Sequence, residues 1–507
     1  MQRPALADFD GWSAARYAAI THVECAAFGA RATVGPYTLV DDAEVFVFSF
    51  LADVNPYVPA PPFLNSGDTA WQLTAATFVG MQSIPGLAIL YAGLVKKKWA
   101  LNSAVMCFYA FSIVLLCWVL WGYKMGFGNP ATLGPGMLSQ IIGVPGPAIG
   151  AASELGQANI PLAGAGFPPL RFSGSAMIYF QFVFAAITPI LIAGAVLGRM
   201  NFKAWMLFVP LWSTLVYTVG AFMLWGGGWL AGLGAVDYSG GYVIHLAAGV
   251  SGFVAAAMVG PRLLQDRTSF DPNNLIVALA GAGLLWLGWN GFNGGDPYFA
   301  NADAAAAVLN TNIATAVALL VWLVLDMFAL GHPSAVSMIN GMIVGLVAIT
   351  PAAGYVDGYG AIATGGLAAI VVWFTLNKLG KLAILKRVDD TFSVLHTHGV
   401  AGLMGGLCVG LFANPNMIEY LSGDKKTAPV SVQGLFYGNP KQLWIQFMAA
   451  VVIIVWNAVA TVIVLKIVSF VFPLRASESD VEGGDLAIHG IDPVPAYPLP
   501  TPVAPVG

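Results

Sequence analysis

The chain has 507 residues, of which 58% are apolar and 9% charged, with a formal net charge of −4 and a mean hydropathy of +0.76. Soluble domains usually carry about 25% charged residues, so this composition excludes an ordinary water-soluble protein. The acidic balance also leaves no electrostatic footprint for nucleic acid.

Taken in chain order, residues 1–67 read as an extension that lies outside the membrane. Its first forty residues lack a basic start followed by a sustained apolar core, so no cleavable signal peptide is expected. The apolar run Ala43 to Ala52 is too brief to span. Stretches able to cross a core of about 30 Å then follow near 70–94, 100–123, 175–198, 205–231, 241–260, 274–293, 303–330, 335–352, 358–378, 394–413 and 443–470. The expected fold class is therefore an all-α membrane protein of eleven transmembrane helices within residues 68–472, followed by a tail at 473–507. Abundant glycine, at 59 residues, suits helices packed closely in lipid.

Basic residues mark one side of that membrane. Lys96, Lys97 and Lys98 follow the first span, Arg199 and Lys203 the third, Arg262 and Arg267 the fifth, and Lys378, Lys381, Lys386 and Arg387 the ninth. The positive-inside rule makes this side cytoplasmic. The N-terminus is then outside and the C-terminal tail inside, in a multi-pass protein of a cell's inner (cytoplasmic) membrane. Lys425 and Lys426, in the loop before the last span, run against the bias. The stretch from Pro493 to Gly507 is proline-rich and expected to be disordered.

Polar residues inside the spans repeat. Asp237 is followed eight residues later by His245, then Ala248, Gly249 and Gly252; Asp390 is followed eight later by His398, then Ala401, Gly402 and Gly405. These copies lie in spans five and ten. Five spans per half turn the second copy upside down, giving an inverted five-plus-five repeat with halves at about 68–262 and 270–413 and an eleventh helix at about 443–470. Each aspartate precedes its helix, where a carboxylate can cap free amides. Eight residues of helix rise about 12 Å, so His245 and His398 reach the midplane from opposite leaflets and can meet there. A lone buried histidine often just bonds a neighbouring helix. Two copies at one depth point to a pathway instead.

Two imidazoles in an apolar passage resist charging, because desolvation and mutual repulsion disfavour the protonated form. Such a passage suits a small, nearly neutral molecule that donates and accepts hydrogen bonds: ammonia, water or a small amine. At the expected extracellular ends of the neighbouring spans lie Trp225-Gly226-Gly227-Gly228-Trp229 and Trp289-Asn290-Gly291-Phe292-Asn293-Gly294-Gly295-Asp296. Aromatic faces and a carboxylate attract a cation, which could be recruited there and lose its proton. The same residues could be an interfacial aromatic belt, and Phe180, Gln181 and Phe184 could be packing.

His396, two residues before His398, faces roughly the other side of its helix and reads as structural. His22 and His489 fall in tails and His332 in a loop. Cys107, Cys117 and Cys408 sit in apolar runs and Cys25 stands alone, so neither metal nor disulfide spacing appears. No nucleophile triad, metal cluster or phosphate loop stands out, so neither enzyme activity nor a cofactor is expected.

From about Asp68 to Tyr497 the chain resembles the ammonium transporter family (Amt, with its yeast Mep and animal Rh relatives). The run Asp237-Tyr238-Ser239-Gly240-Gly241 through Ile244 and His245 to Gly260-Pro261-Arg262 is similar to the family signature along its full length. Further likeness lies in Ile84-Pro85-Gly86, Tyr91-Ala92-Gly93-Leu94, Thr350-Pro351-Ala352-Ala353-Gly354, Asp389-Asp390-Thr391, Leu474-Arg475, Asp485-Leu486 and His489-Gly490. The resemblance implies that His245 and His398 are paired pore histidines joined by a ring-to-ring hydrogen bond. It implies that Phe184 and Phe292 form a stacked gate, and that Trp225 forms an external recruitment site with them. Asp237 would be the family aspartate near the site, supporting structure and cation entry; Asp390, its counterpart in the repeat, is expected to give structural support to the site.

The family often has serine where this chain has Asp296, and the run Phe292 to Pro297 is more similar to the branch that includes plant type-2 ammonium transporters. Ser393 stands where many relatives have a third aspartate after Asp389 and Asp390. The resemblance further implies a homotrimer with one pore per subunit, ammonium or methylammonium as substrate, and a cytoplasmic tail able to engage a PII signal protein. Two other functions fit the same residues: an ammonium sensor signalling through a PII-type partner, and an Rh-like neutral gas channel.

Overall fold

Side-chain caps start the helices where the sequence places Asn or Asp ahead of an apolar run. Asn65 accepts from the Asp68 amide at 3.0 Å, Asn274 from Ile276 and Val277 at 3.0 and 3.1 Å, Asn301 from Ala304 at 3.1 Å, and Asp357 from Gly360 at 2.9 Å. The computed structural model describes residues 60–131, 136, 138–161, 168–269, 271–417 and 432–491. The chain divides into two units, Met1–Pro61 and Pro62–Gly507, and the second carries everything that follows. The extension expected at 1–67 lies mostly outside the described residues, as does the proline-rich stretch from 493.

The described residues are helical, joined by loops with three isolated β-bridges and no strand. Among the described residues, ten helices are long and apolar enough to cross a membrane: α1 Ser66–Leu94, α2 Lys97–Phe127, α3 Gly174–Val196, α4 Phe202–Gly232, α5 Gly241–Val259, α6 Leu275–Gly294, α7 Ala302–Leu330, α9 Gly358–Lys381, α10 Leu395–Phe412 and α11 Pro440–Val471. Between α7 and α9 runs α8, Ala335–Ile349, also apolar but only 15 residues long. At 1.5 Å per residue it covers roughly 22 Å, less than the span read from the sequence at 335–352. It stops because the backbone turns away at Thr350 and Pro351, whose carbonyls accept the amides of Ser239 and Tyr238 at 3.2 Å each.

α3 lies at the centre, buried along almost its whole length. The outward face of α7 is the opposite case: Leu309 and Leu320 are 60% exposed and Phe328 88%, a surface that suits lipid rather than water. Several helices pass through π-helical turns. In α1 the turn Gln82–Gly86 contains Pro85, which lacks the amide a regular helix would use. The turns Gly241–Leu246 in α5 and Leu395–Val400 in α10 carry His245 and His398. Such bulges are frequent at functional sites.

α5 and α10 cross at glycines. A Cβ on Gly249 would collide with the Cα of Gly399, and one on Gly402 with the carbonyl of Gly241. Only glycine permits so close an approach, and it sets the two histidine-bearing turns side by side. After α11 the chain forms two short helices, α12 Glu478–Gly483 and α13 Asp485–His489. Asp485 caps α2 by accepting the amides of Leu101 and Asn102 at 2.8 Å each.

Candidate functional site

Asp237 precedes α5 by four residues, and its carboxylate gathers the free amides of the turn beyond it. Oδ1 accepts from Gly240 and Gly241 at 3.1 and 2.7 Å, and Oδ2 from Tyr242 and Val243 at 2.9 Å each. Burial pushes this carboxyl up to about 6, against the pull of those four amides. Gly240 adopts a left-handed conformation at φ 109°, which lets successive amides converge on one side chain. The carboxylate therefore fixes the turn that aims His245.

Asp390 does the corresponding work for α10 with less support. Its Oδ2 accepts from Leu395 at 2.8 Å, while Oδ1 is shut away from solvent without a partner. Burial raises this carboxyl too, to about 6. Ser393, between Asp390 and the helix, sits at φ +56°, and its carbonyl accepts the amides of His396 and Thr397 at 2.9 Å each.

The two histidines meet. His245 Nδ1 lies 3.3 Å from His398 Nδ1, the rings are 5.4 Å apart at 19°, and the side chains are buried at 0% and 6% exposure. One Nδ1 must carry the proton and the other accept it. His245 is clamped on its far face by Trp289, stacked at 5.3 Å and 17°, whose indole N–H donates to the Thr350 hydroxyl at 2.8 Å. Its Nε2 is buried without a partner.

Next to His245 the way is closed by aromatics. Phe292 lies 5.9 Å from the imidazole, and Phe184 lies 4.3 Å from Phe292 at 34°, both fully buried. Trp225 meets Phe184 edge-on at 6.3 Å and donates its indole N–H to the Asp237 carbonyl at 2.7 Å. The same carboxylate residue thus anchors the histidine turn and the tryptophan. Ser239 ties the gate to it as well, donating to the Phe292 carbonyl at 2.8 Å.

On the other side of the pair the way is wider. A cavity of about 150 Å³ reaches His398 between Leu87, Tyr91, Leu285, Phe392 and Thr397. Tyr91 and Phe392 line it in contact with each other, their rings 5.3 Å apart and tilted by 35°.

Comparison with known proteins identifies the family. The profile of the Ammonium Transporter Family matches residues 70–492. Ammonium transporter 2 of Arabidopsis thaliana is 51% identical over 440 residues, covering 86% of this chain and 90% of that protein. Ammonium transporter 3 member 3 of Oryza sativa subsp. japonica is 50% identical over 449 residues, covering 85% and 90%. The chain belongs to the ammonium transporter family.

Among solved structures, Mep2 of Saccharomyces cerevisiae superposes with a TM-score of 0.69 at 28% identity, covering 82% of this chain and 89% of its own. A protein described as a sensor Amt protein does so at 0.67 and 26%, covering 83% and 97%. The family is one of membrane transporters rather than enzymes, and this member is a multi-pass membrane protein.

Within this family member, the structure brings His245, His398, Phe184, Phe292, Trp225 and Asp237 into one connected cluster. Asp296 stands beside it, half-buried, with Oδ2 lacking a partner. Burial and the nearby Asp237 push its carboxyl well up, and only the Ser239 side chain pulls it down. His396 points away from the pair to the Thr375 hydroxyl at 3.2 Å. His332 is exposed in its loop, and His489 binds the Asn102 side chain at 3.1 Å. Among the described residues no cluster of three metal-ligating side chains occurs.

Two contributors escape sequence reading. Phe127, at the end of α2, stacks on Trp225 at 6.3 Å and 18°; it lies 98 residues from that partner in sequence, and its neighbourhood is apolar enough to pass for packing. Ser239 was visible only as part of the motif, with nothing to foretell its bond to the Phe292 carbonyl.

Proposed function

We propose that this protein recruits ammonium at an external aromatic site, removes its proton and conducts ammonia along a hydrophobic pore lined by His245 and His398. The observation that carries the reading is the buried ring-to-ring contact of the histidines behind the Phe184–Phe292 stack. Desolvation disfavours a charged species beside two buried imidazoles, whereas ammonia can both donate to and accept from them. Trp225 and Phe184 offer aromatic faces to the arriving cation, and Asp296 adds an acceptor with an unused oxygen. Asp237 and Asp390 hold the two histidine turns.

The reading extends to the frame. Eleven membrane helices form an inverted five-plus-five repeat plus the last, with α8 as the short eighth member. The matching π-helical turns at His245 and His398, each approached from an aspartate, support that symmetry. Residues 1–67 form an extracytoplasmic extension, 68–472 the transport domain and 473–507 a cytoplasmic tail, in an inner (cytoplasmic) membrane. Subunits associate as a homotrimer. Methylammonium serves as a second substrate, and a PII signal protein engages the cytoplasmic face.

Uptake of labelled methylammonium by a transporter-deficient cell expressing the protein tests the reading. Uptake that ammonium competes away is expected; none, from protein shown to be in the membrane, sinks it. A sensor role has one observation in its favour: α12 and α13 are tied to α2 through Asp485, and Lys98 donates to the Val481 carbonyl at 3.1 Å. Ammonium-dependent capture of a PII protein without measurable flux would favour that role.

A further inference from the structure

A second cavity of about 150 Å³ opens beside the one that reaches His398, sharing Leu94, Thr391 and Phe392 with it. It lies among the loops that follow α1, α3 and α5, and its walls include Trp99, Gly198, Arg262 and Arg267. Trp99 is 3% exposed, and its indole N–H has no partner. That N–H lies 3.6 Å from where a Cβ on Gly198 would stand, a point that Arg262 Cδ approaches to 3.3 Å, and Gly198 sits at φ +83°, so the bare glycine keeps the approach to the indole between Gly198 and Arg262 clear of a further side chain. A buried donor left unsatisfied is costly, and here the indole that carries it lines a cavity.

Cationic donors stand around the cavity beside the hydroxyls of Ser269 and Thr391. Arg262 commits Nε and Nη2 to Asp389 at 2.9 and 2.7 Å, which leaves Nη1 over. Arg267 is exposed and has no carboxylate partner among the described residues. Behind them Arg199 is fully buried; it donates to the carbonyls of Leu197, Gly260 and Asp389 and to the Thr391 hydroxyl.

Acidic groups are present as well. Asp266 is held by Lys96 and Lys98 at 3.2 and 3.3 Å, Asp389 by Arg262, and Asp271 lies on the rim. Asp390, near Arg199, is raised to about 6. Lys96, Lys98, Arg199, Arg262 and Arg267 outnumber these carboxylates, so the cavity remains electropositive.

We propose that this cavity binds a phosphate group, either free in solution or presented by an anionic lipid headgroup. An indole N–H and two guanidinium groups approach it from α2 and from the loop after α5, which suits a tetrahedral oxyanion better than a planar carboxylate. The loops carrying it are those whose charge assigns them to the cytoplasmic side, where anionic headgroups lie. Because the cavity shares Leu94, Thr391 and Phe392 with the mouth below His398, a bound phosphate stands at that mouth and adds negative charge there. This site is separate from the histidine pair and does not depend on the transport reading.

Calorimetric titration of inorganic phosphate into the purified full-length protein in detergent tests it. Saturable binding is expected in the wild type. Trp99→Phe, which keeps the ring and removes the donor, should weaken it about tenfold, the usual worth of a hydrogen bond to a charged group. Arg267→Gln, at an exposed position that threatens no packing, should weaken it too and carries the test should Trp99→Phe fail to fold. Repeating the titration in nanodiscs separates the sources. Phosphate binding retained in phosphatidylcholine but abolished in phosphatidylglycerol identifies a lipid headgroup as occupant; binding retained in both identifies free phosphate. No saturable binding in detergent or phosphatidylcholine overturns the proposal, as does binding unchanged in both variants.

Discussion

The approach to His245 and the approach to His398 use one spacing, an aspartate eight residues ahead of a histidine in a π-helical turn, yet they differ in closure. On the Asp237 side four amides converge on the carboxylate, Trp289 clamps the imidazole, and Phe292 and Phe184 fill the space beyond it. On the Asp390 side a carboxylate oxygen goes without a partner, and a cavity of about 150 Å³ leads to the ring. The motif fixes where each histidine stands, and the helices packed around it decide what can reach it. On the proposed reading, the closed side selects the passing molecule and the open side releases it.

The comparison is most exposed at the histidines. His245→Ala should cut methylammonium uptake at least tenfold, equivalent to about 1.4 kcal/mol of barrier, or admit potassium. Ammonium over potassium discrimination at the wild-type level would remove His245 from the pathway.

The aspartates come next. Asp237→Ala leaves four amides without an acceptor, each worth about 1–3 kcal/mol when buried, and should lower the thermal unfolding midpoint in detergent far more than Asp390→Ala. Equal losses would mean the two turns are supported alike. Both carboxyls are raised by burial from 3.8 to about 6, so the folded state holds their protons more tightly than the unfolded one. Their contribution to stability is complete below pH 3.8 and is lost as pH rises through about 6. Unfolding midpoints measured across that window should fall with rising pH, and Asp237→Asn combined with Asp390→Asn should flatten the slope.

The smallest effect belongs to the aromatic entrance. Trp225→Leu should raise the half-saturating methylammonium concentration about fivefold, the worth of a ~1 kcal/mol cation–π contact. A fall in maximal rate at unchanged half-saturation would place Trp225 in support of the gate instead.

Much of this arrangement is legible in the sequence because lipid imposes strong constraints. A span must be long and apolar, so ten of the eleven expected stretches recur as helices of sufficient length. An ionisable residue inside one stands out, which is how His245 and His398 are found and how their depths are matched. The π-helical turns are not legible, since hydrophobic periodicity does not register one extra residue in a helix that is apolar on every side. The shortness of α8 escapes for a similar reason: Thr350 to Ala353 continues the apolar composition, while the backbone leaves the helix to bond Tyr238 and Ser239. Phe127 and Ser239 contribute through contacts distant in sequence. Asp485 was recognisable as part of a tail motif, but its capping of α2 depends on where the tail folds back.

The glycine crossing of α5 and α10 also limits how the machine can move. With Gly249 set against the Cα of Gly399, and Gly402 against the Gly241 carbonyl, no layer of side chains separates the helices that could deform as they slide. Rocking one half of the chain past the other would have to break this joint and pull the imidazoles apart on every cycle. The joint holds the histidine pair as a fixed fitting, and on the proposed reading passage would proceed by swings of Phe184, Phe292 and Tyr91 around it. Cross-linking α5 to α10 at their ends should leave turnover intact; loss of turnover would mean that the protein works by exchanging two shapes.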